Sequence, residues 1–215
     1  MLRLLALFLT LFCATSAFAQ SSVDPRRGEA LEALASDDDA QRAEAVAWFA
    51  KFGKASDAEL LLQRLTDESP LVRTVAEQGL WVLWSRSGDK TIDALMAKGV
   101  DQMERGQLKQ AIATFSEVIR RKPGFAEGWN KRATALFLSG DLKRSLADCD
   151  EVLKRNPYHF GALAGYGQIY YQLEQYSKAI EYWKRALRVN PNMDGVEDSI
   201  KGTEELLAER RKQSA

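Results

Sequence analysis

Apolar positions in the second half of the chain recur at helical spacing, and that pattern itself repeats every 34 residues. Pro123, Pro157 and Pro191 stand 34 apart, each after an amphipathic stretch rich in late Lys or Arg. The same step aligns Leu95 with Trp129 and Leu163, Gly99 with Ala133 and Gly167, and Ala111 with Ser145 and Ala179. It also aligns Phe115 with Cys149 and Trp183, and Val118 with Val152 and Ala186. The residue before a proline disfavours the α region, so a helix is predicted to stop near Lys122, Asn156 and Asn190. Midway through each unit, Gly106-Gln107-Leu108 and Gly140-Asp141-Leu142 supply a turn, and Glu174-Gln175-Tyr176 stands in its place without glycine. Each unit therefore reads as helix, turn, helix. Beyond the last proline, Val196, Ile200, Leu206 and Leu207 continue as one more helix over 194–212, predicted to cap the apolar end of the stack.

The aligned columns resemble the tetratricopeptide repeat, three copies of it over residues 92–193. Small residues fall where the two helices of a repeat cross closely, and large ones fill the space beside them. The resemblance implies an all-α, right-handed solenoid of helix hairpins whose first helices line a concave face that holds a peptide. Carried onto this sequence, the groove-facing positions are Asp93, Met96, Val100, Met103 and Glu104, then Glu127, Asn130, Thr134, Phe137 and Leu138, then Gly161, Ala164, Gln168, Tyr171 and Gln172. The candidate peptide site is Met96, Val100, Met103, Asn130, Thr134, Phe137, Gln168, Tyr171 and Gln172: apolar side chains for bulky partners, amides for a peptide backbone. Chaperone-binding members of the family clamp a C-terminal carboxylate with Lys, Asn and Arg, whereas Met96, Val100, Gly161 and Gly165 occupy those positions here. The competing expectation is that this apolar stripe is covered from within the chain.

Residues 26–87 are helical in pattern but lack the 34-residue columns. Leu60 to Leu65, an acidic turn, Ser69 as N-cap, Pro70 at the first helical position and Arg73 resemble a HEAT repeat. A weaker copy runs through Leu31, Leu34, Asp37-Asp38-Asp39, Arg42, Ala45 and Phe49, with Leu34 to Leu65 and Arg42 to Arg73 both offset by 31. The three aspartates read as a helix cap, since a calcium loop needs alternating ligands, a central Gly and a terminal Glu. Trp48, Trp81 and Trp84 are expected between these helices and the first tetratricopeptide helix. The join at Ser87-Gly88-Asp89-Lys90 is too short for the two parts to tumble independently.

At the N-terminus, Arg3, an apolar run from Leu4 to Ala14 and Ala17-Phe18-Ala19 have the form of a secretory signal peptide over 1–19, cut after Ala19. This eleven-residue run rises only about 16 Å as a helix, against roughly 30 Å of hydrocarbon, so no stable membrane insertion is expected after cleavage. The form of the signal resembles those of Gram-negative bacteria, which implies a periplasmic or secreted chain.

Composition narrows the chemistry. Thirty basic and thirty acidic residues cancel, which disfavours nucleic acid as a partner. Residues 20–90 carry 9 basic and 13 acidic groups and residues 91–192 carry 16 and 11, opposite signs that favour docking of the two parts. The basic runs Arg120-Arg121-Lys122 and Lys154-Arg155 read as solvated helix C-termini. The one histidine, His159, reads as a solvated loop residue, and the carboxylates fit solvated helix faces. Cys149 is expected to be buried against Trp129 or Ala133. With no phosphate loop, CxxC pair or nucleophile elbow, no catalytic residue, metal or cofactor is expected. The expected function is a non-enzymatic adaptor or scaffold of the bacterial envelope holding a partner protein or peptide. The alternative is a structural subunit or homo-oligomer whose groove its own chain fills, and a third reading is an enzyme accessory that contributes only its fold.

Overall fold

A computed structural model describes residues 25–213, and these fold into helices with no strand among them. The expected signal peptide at 1–19 lies outside the described residues. The helices are α1 (Pro25–Ala33), α2 (Asp39–Phe52), α3 (Ala58–Gln63), α4 (Pro70–Ser85), α5 (Lys90–Glu104) and α6 (Leu108–Arg121). They continue with α7 (Ala126–Leu138), α8 (Leu142–Arg155), α9 (Phe160–Gln172), α10 (Tyr176–Val189) and α11 (Asp194–Gln213). The pairs α5/α6, α7/α8 and α9/α10 are the three predicted hairpins, and α6, α8 and α10 end on Lys122, Asn156 and Asn190 as the following prolines require.

Turn chemistry repeats with the same period. Gly106 and Gly140 adopt φ of 71° and 84°, and Glu174 holds the same left-handed position at φ 55°. Inside each hairpin, side-chain volumes on the two helices compensate. A Cβ on Gly99 would run into the Phe115 ring, and one on Gly167 into the Trp183 indole. In the middle hairpin alanine is tolerated, because Ala133 packs beside Cys149 in the same buried cluster. The last hairpin is covered by α11, whose Ile200 and Val196 join Ala179 and Trp183.

The 31-residue offset of the N-terminal part has a structural counterpart. Nη1 of Arg42 donates to the carbonyls of Ser36 and Asp37 at 2.9 and 3.1 Å, and Nη1 of Arg73 donates to those of Asp67 and Glu68 at 2.8 and 3.0 Å. Each arginine then reaches onward: Arg42 pairs with both oxygens of Asp67, at 3.0 and 2.8 Å, and Nε of Arg73 donates to Oδ1 of Asn192 at 3.0 Å. The loop after α10 thus stands to Arg73 as the turn before α4 stands to Arg42. Asn192 closes the link by donating to the Leu65 carbonyl at 2.8 Å. Asp38 caps α2 by accepting from the Ala40 amide, as expected. Ser69 sits at the N-cap of α4 but its hydroxyl donates to Asp39 instead.

The position of α4 corrects one expectation. Trp81 and Trp84 share a face, but they pack on the start of α9, the first helix of the third repeat hairpin, and not on α5, the first helix of the first. Trp84 stacks on His159 at 4.8 Å, and the Trp81 and Trp84 rings flank Phe160 at 5.0 and 5.2 Å. Phe160 is wholly buried in the N-terminal core with Phe49, Leu61 and Leu80, and Val189 and Met193 pack on the same cluster. A sequence shows the short join at Ser87 to Lys90 but not that the chain folds back there, so proximity along the chain pointed to the nearest helix.

Candidate functional site

Helices α5, α7 and α9 present their inner faces side by side. Their N-terminal ends form the lower rim of this face, and that rim is closed by α4 and the residues after it. Ser87 bonds Asp93 through its amide, at 3.0 Å, and its hydroxyl, at 2.5 Å. The Trp81 ring fills the space where a Cβ on Gly161 would project. Lys122 donates to the Ser87 carbonyl, while Arg120 and Arg121 pair with Glu117 on the solvated helix end.

Between these closures lies a buried polar pair. His159 is wholly buried, not solvated, and caps α9: its Nδ1 accepts from the Ala162 amide at 3.1 Å, which leaves Nε2 to donate to Oε2 of Glu127 at 3.1 Å. Glu127 is buried too, and Asn130 donates to the same oxygen at 3.0 Å while Lys131 stands 3.3 Å from the other. Burial pushes the Glu127 carboxyl up, but the hydrogen bond from His159 and the nearby Lys131 ammonium outweigh it and hold the group below its ordinary value. Asp148, paired with Arg132 at 2.7 Å through both oxygens, is a second buried carboxylate. These carboxylates depart from the solvated faces expected of them. The signal available in the sequence was the shared 34-residue column of Asp93 and Glu127, two acids at one rim of the stack.

Above the rim the face is open. A pocket of about 170 Å³ lies between α7 and α9, floored by Ala133, Ser145, Cys149 and Ile169, walled by Phe137, Gly161 and Gly165, with Asn130, Thr134 and Gln168 at its edge. Four of the nine predicted site residues, Asn130, Thr134, Phe137 and Gln168, therefore meet around one cavity. Tyr171 and Gln172 are exposed further along α9, and the Tyr171 ring rests on Tyr176 and Trp183 at 5.3 and 5.8 Å. Met96 is corrected: at 6% exposure it belongs to the core of the first hairpin with Ile92 and Phe115, and Val100 and Met103 pack half-buried against that cluster. Gly99 on the same helix admits the Phe115 ring of that cluster.

Cys149 is buried beside Ala133, one of the two neighbours expected for it. Burial, with Asp148 and Asp150 close by, pushes its thiol up to about 12, which removes it as a nucleophile. A chain carrying Cys13→Ser should show no rapid reaction with a thiol-specific chromogenic reagent when native, and one full equivalent when unfolded. A fast native phase would contradict the packing. No group of three metal-ligating side chains and no helix long and apolar enough to cross a membrane occurs among the described residues.

Family models for the tetratricopeptide repeat match residues 96–160 and 163–193. A TPR repeat-containing protein of Rhizobium etli is 33% identical over 128 residues, 60% of this chain and 63% of that relative. The chain spans less than two thirds of the length of the curated relatives it matches. Among solved structures, the Sgt2 TPR domain of Aspergillus fumigatus superposes with a TM-score of 0.56 at 19% identity, over 59% of this chain and 85% of that one. The first TPR of Spaghetti (RPAP3), bound to the HSP90 peptide SRMEEVD, does so at 0.53 and 20%, over 54% and 93%.

Proposed function

From the premise that residues 96–193 are tetratricopeptide repeats, we propose that this chain is a non-enzymatic adaptor of the bacterial cell envelope that holds a partner peptide on its concave face. The open cavity between α7 and α9 carries the reading, because it brings apolar walls and amide edges together on the face that stacked repeats expose. The peptide-bound RPAP3 domain has the same fold, which supports a peptide as the occupant class. The sequence form of residues 1–19 supports export to the periplasm. The N-terminal helices, read as two HEAT-like units over 26–87, offer a second surface, and the matched backbone contacts of Arg42 and Arg73 support that reading. In this division the tetratricopeptide unit runs over 92–193 and α11 is its cap.

One observation favours the second reading, a groove occupied from within: Trp81 sits over Gly161 at the lower rim. The two readings separate by crosslinking in the native envelope. A photoreactive residue at Gln168 should capture a partner chain, and one at Glu181 on the outer helix α10 should not. Capture of a second copy of this chain, or equal yield from both positions, would favour the structural subunit. Against a captured partner, Phe137→Ala and Tyr171→Ala should each weaken binding by about 1–3 kcal/mol, roughly ten- to a hundredfold. Neutralising Arg120 and Arg121 should change mainly the salt dependence. Full affinity in both aromatic variants would move the site off the groove.

A further inference from the structure

Resting on the groove reading, we propose that the cavity between α7 and α9 receives one aliphatic or aromatic side chain from an internal, uncharged segment of the partner and rejects acidic, carboxylate-terminated peptides. Gly165 sets that specificity. Helix α9 carries three glycines, and two of them have a packing reason: a Cβ would meet Trp81 at Gly161 and Trp183 at Gly167. At Gly165 nothing lies within 4 Å of where a Cβ would stand, yet the residue sits mid-helix, where glycine is disfavoured relative to alanine. Gly165 lines the cavity, and no neighbour within the chain explains the missing side chain.

The size and charge of the cavity name the occupant. About 170 Å³ is below the range of small-molecule sites and suits a single side chain. Ala133, Cys149 and Ile169 give it an apolar floor, and no lysine or arginine lines it. The groups just below the cavity disfavour an anion. Asn130 directs one amide hydrogen at the buried Glu127 carboxylate, and the two cations of α7 are already paired, Lys131 with the same carboxylate at 3.3 Å and Arg132 with Asp148 at 2.7 Å. A peptide carboxylate entering here would be desolvated next to Glu127 with no free cation lining the cavity.

The test pans phage-displayed dodecapeptides, whose C-termini are not free, against the full mature chain. Enriched sequences are then synthesised with acetylated and amidated ends and titrated beside SRMEEVD. Enriched peptides should share one Leu, Ile, Met or Phe, be poor in Asp and Glu, and bind at least tenfold more tightly than SRMEEVD. Gly165→Leu should weaken them at least tenfold while raising the melting temperature. Gly202→Leu, another helical glycine with open space around its Cβ position, should raise the melting temperature and leave binding unchanged. Absence of any enriched sequence, tight binding of SRMEEVD, or unchanged affinity in Gly165→Leu would overturn the inference. If affinity also survives Phe137→Ala, the groove reading falls with it. If affinity is lost in Phe137→Ala but kept in Gly165→Leu, only the cavity assignment falls.

Discussion

Gly167→Ala is expected to lower the free energy of unfolding by about 2 kcal/mol in the natural chain and to raise it by about 0.5–1 kcal/mol in a Trp183→Cys background. The reversal follows from the crossing of α9 and α10. The new methyl group would fall on the indole of Trp183, which is 3% exposed and donates from Nε1 to the Ala164 carbonyl at 3.2 Å. A buried indole held at one end cannot step aside, so the helices must separate. With cysteine in its place, the crossing takes the composition of the middle hairpin, where Ala133 lies against Cys149, and alanine then contributes only its better helix propensity. Chemical unfolding of the four proteins measures the coupling. Additive effects would mean that the two columns do not compensate across the helix crossing.

That pair also shows why so much of the repeat region was legible in the sequence. The columns Gly99, Ala133, Gly167 and Phe115, Cys149, Trp183 are local to a hairpin, and a period of 34 registers them without any knowledge of the fold. Helix ends were legible for the same reason, since a proline acts on its own neighbour. The candidate groove was half legible. Asn130, Thr134, Phe137 and Gln168 meet around one cavity, while Met96 shows that a groove-facing position in the register can still be a core residue. What the sequence did not disclose depends on long-range return of the chain. His159 and Trp84 lie 75 positions apart, and no periodic pattern joins them. Nor does composition identify a buried histidine, because the same residue after Asn-Pro-Tyr is equally suited to a solvated loop. Only the placement of α4 against α9 makes it an internal cap.

His159→Ala is the substitution expected to cost most, about 3–5 kcal/mol, because it removes one partner of a buried ionic hydrogen bond. Three losses coincide. The Ala162 amide at the start of α9 loses its cap, the Trp84 ring loses its stacking partner, and the Glu127 carboxylate is left buried with Asn130 and Lys131 alone. His159→Asn should recover about 1 kcal/mol, since asparagine is among the best N-caps. Glu127→Leu in the His159→Ala background should cost much less than the two single effects added together, because no carboxylate remains unpaired. Acid gives an independent check. The Glu127 carboxyl is held below its ordinary 4.5, so its contribution is fully present above that pH and is lost as pH falls through the depressed value. The stability gap between the natural chain and Glu127→Gln should therefore be constant near neutrality and close in acid. The difference in tryptophan emission between the natural chain and Trp84→Phe, followed through the same titration, reports whether α4 leaves α9 as the gap closes. A cost below about 1 kcal/mol for His159→Ala would show that Phe160 and the Asn192 link, not this pair, hold the N-terminal helices across the lower rim of the groove.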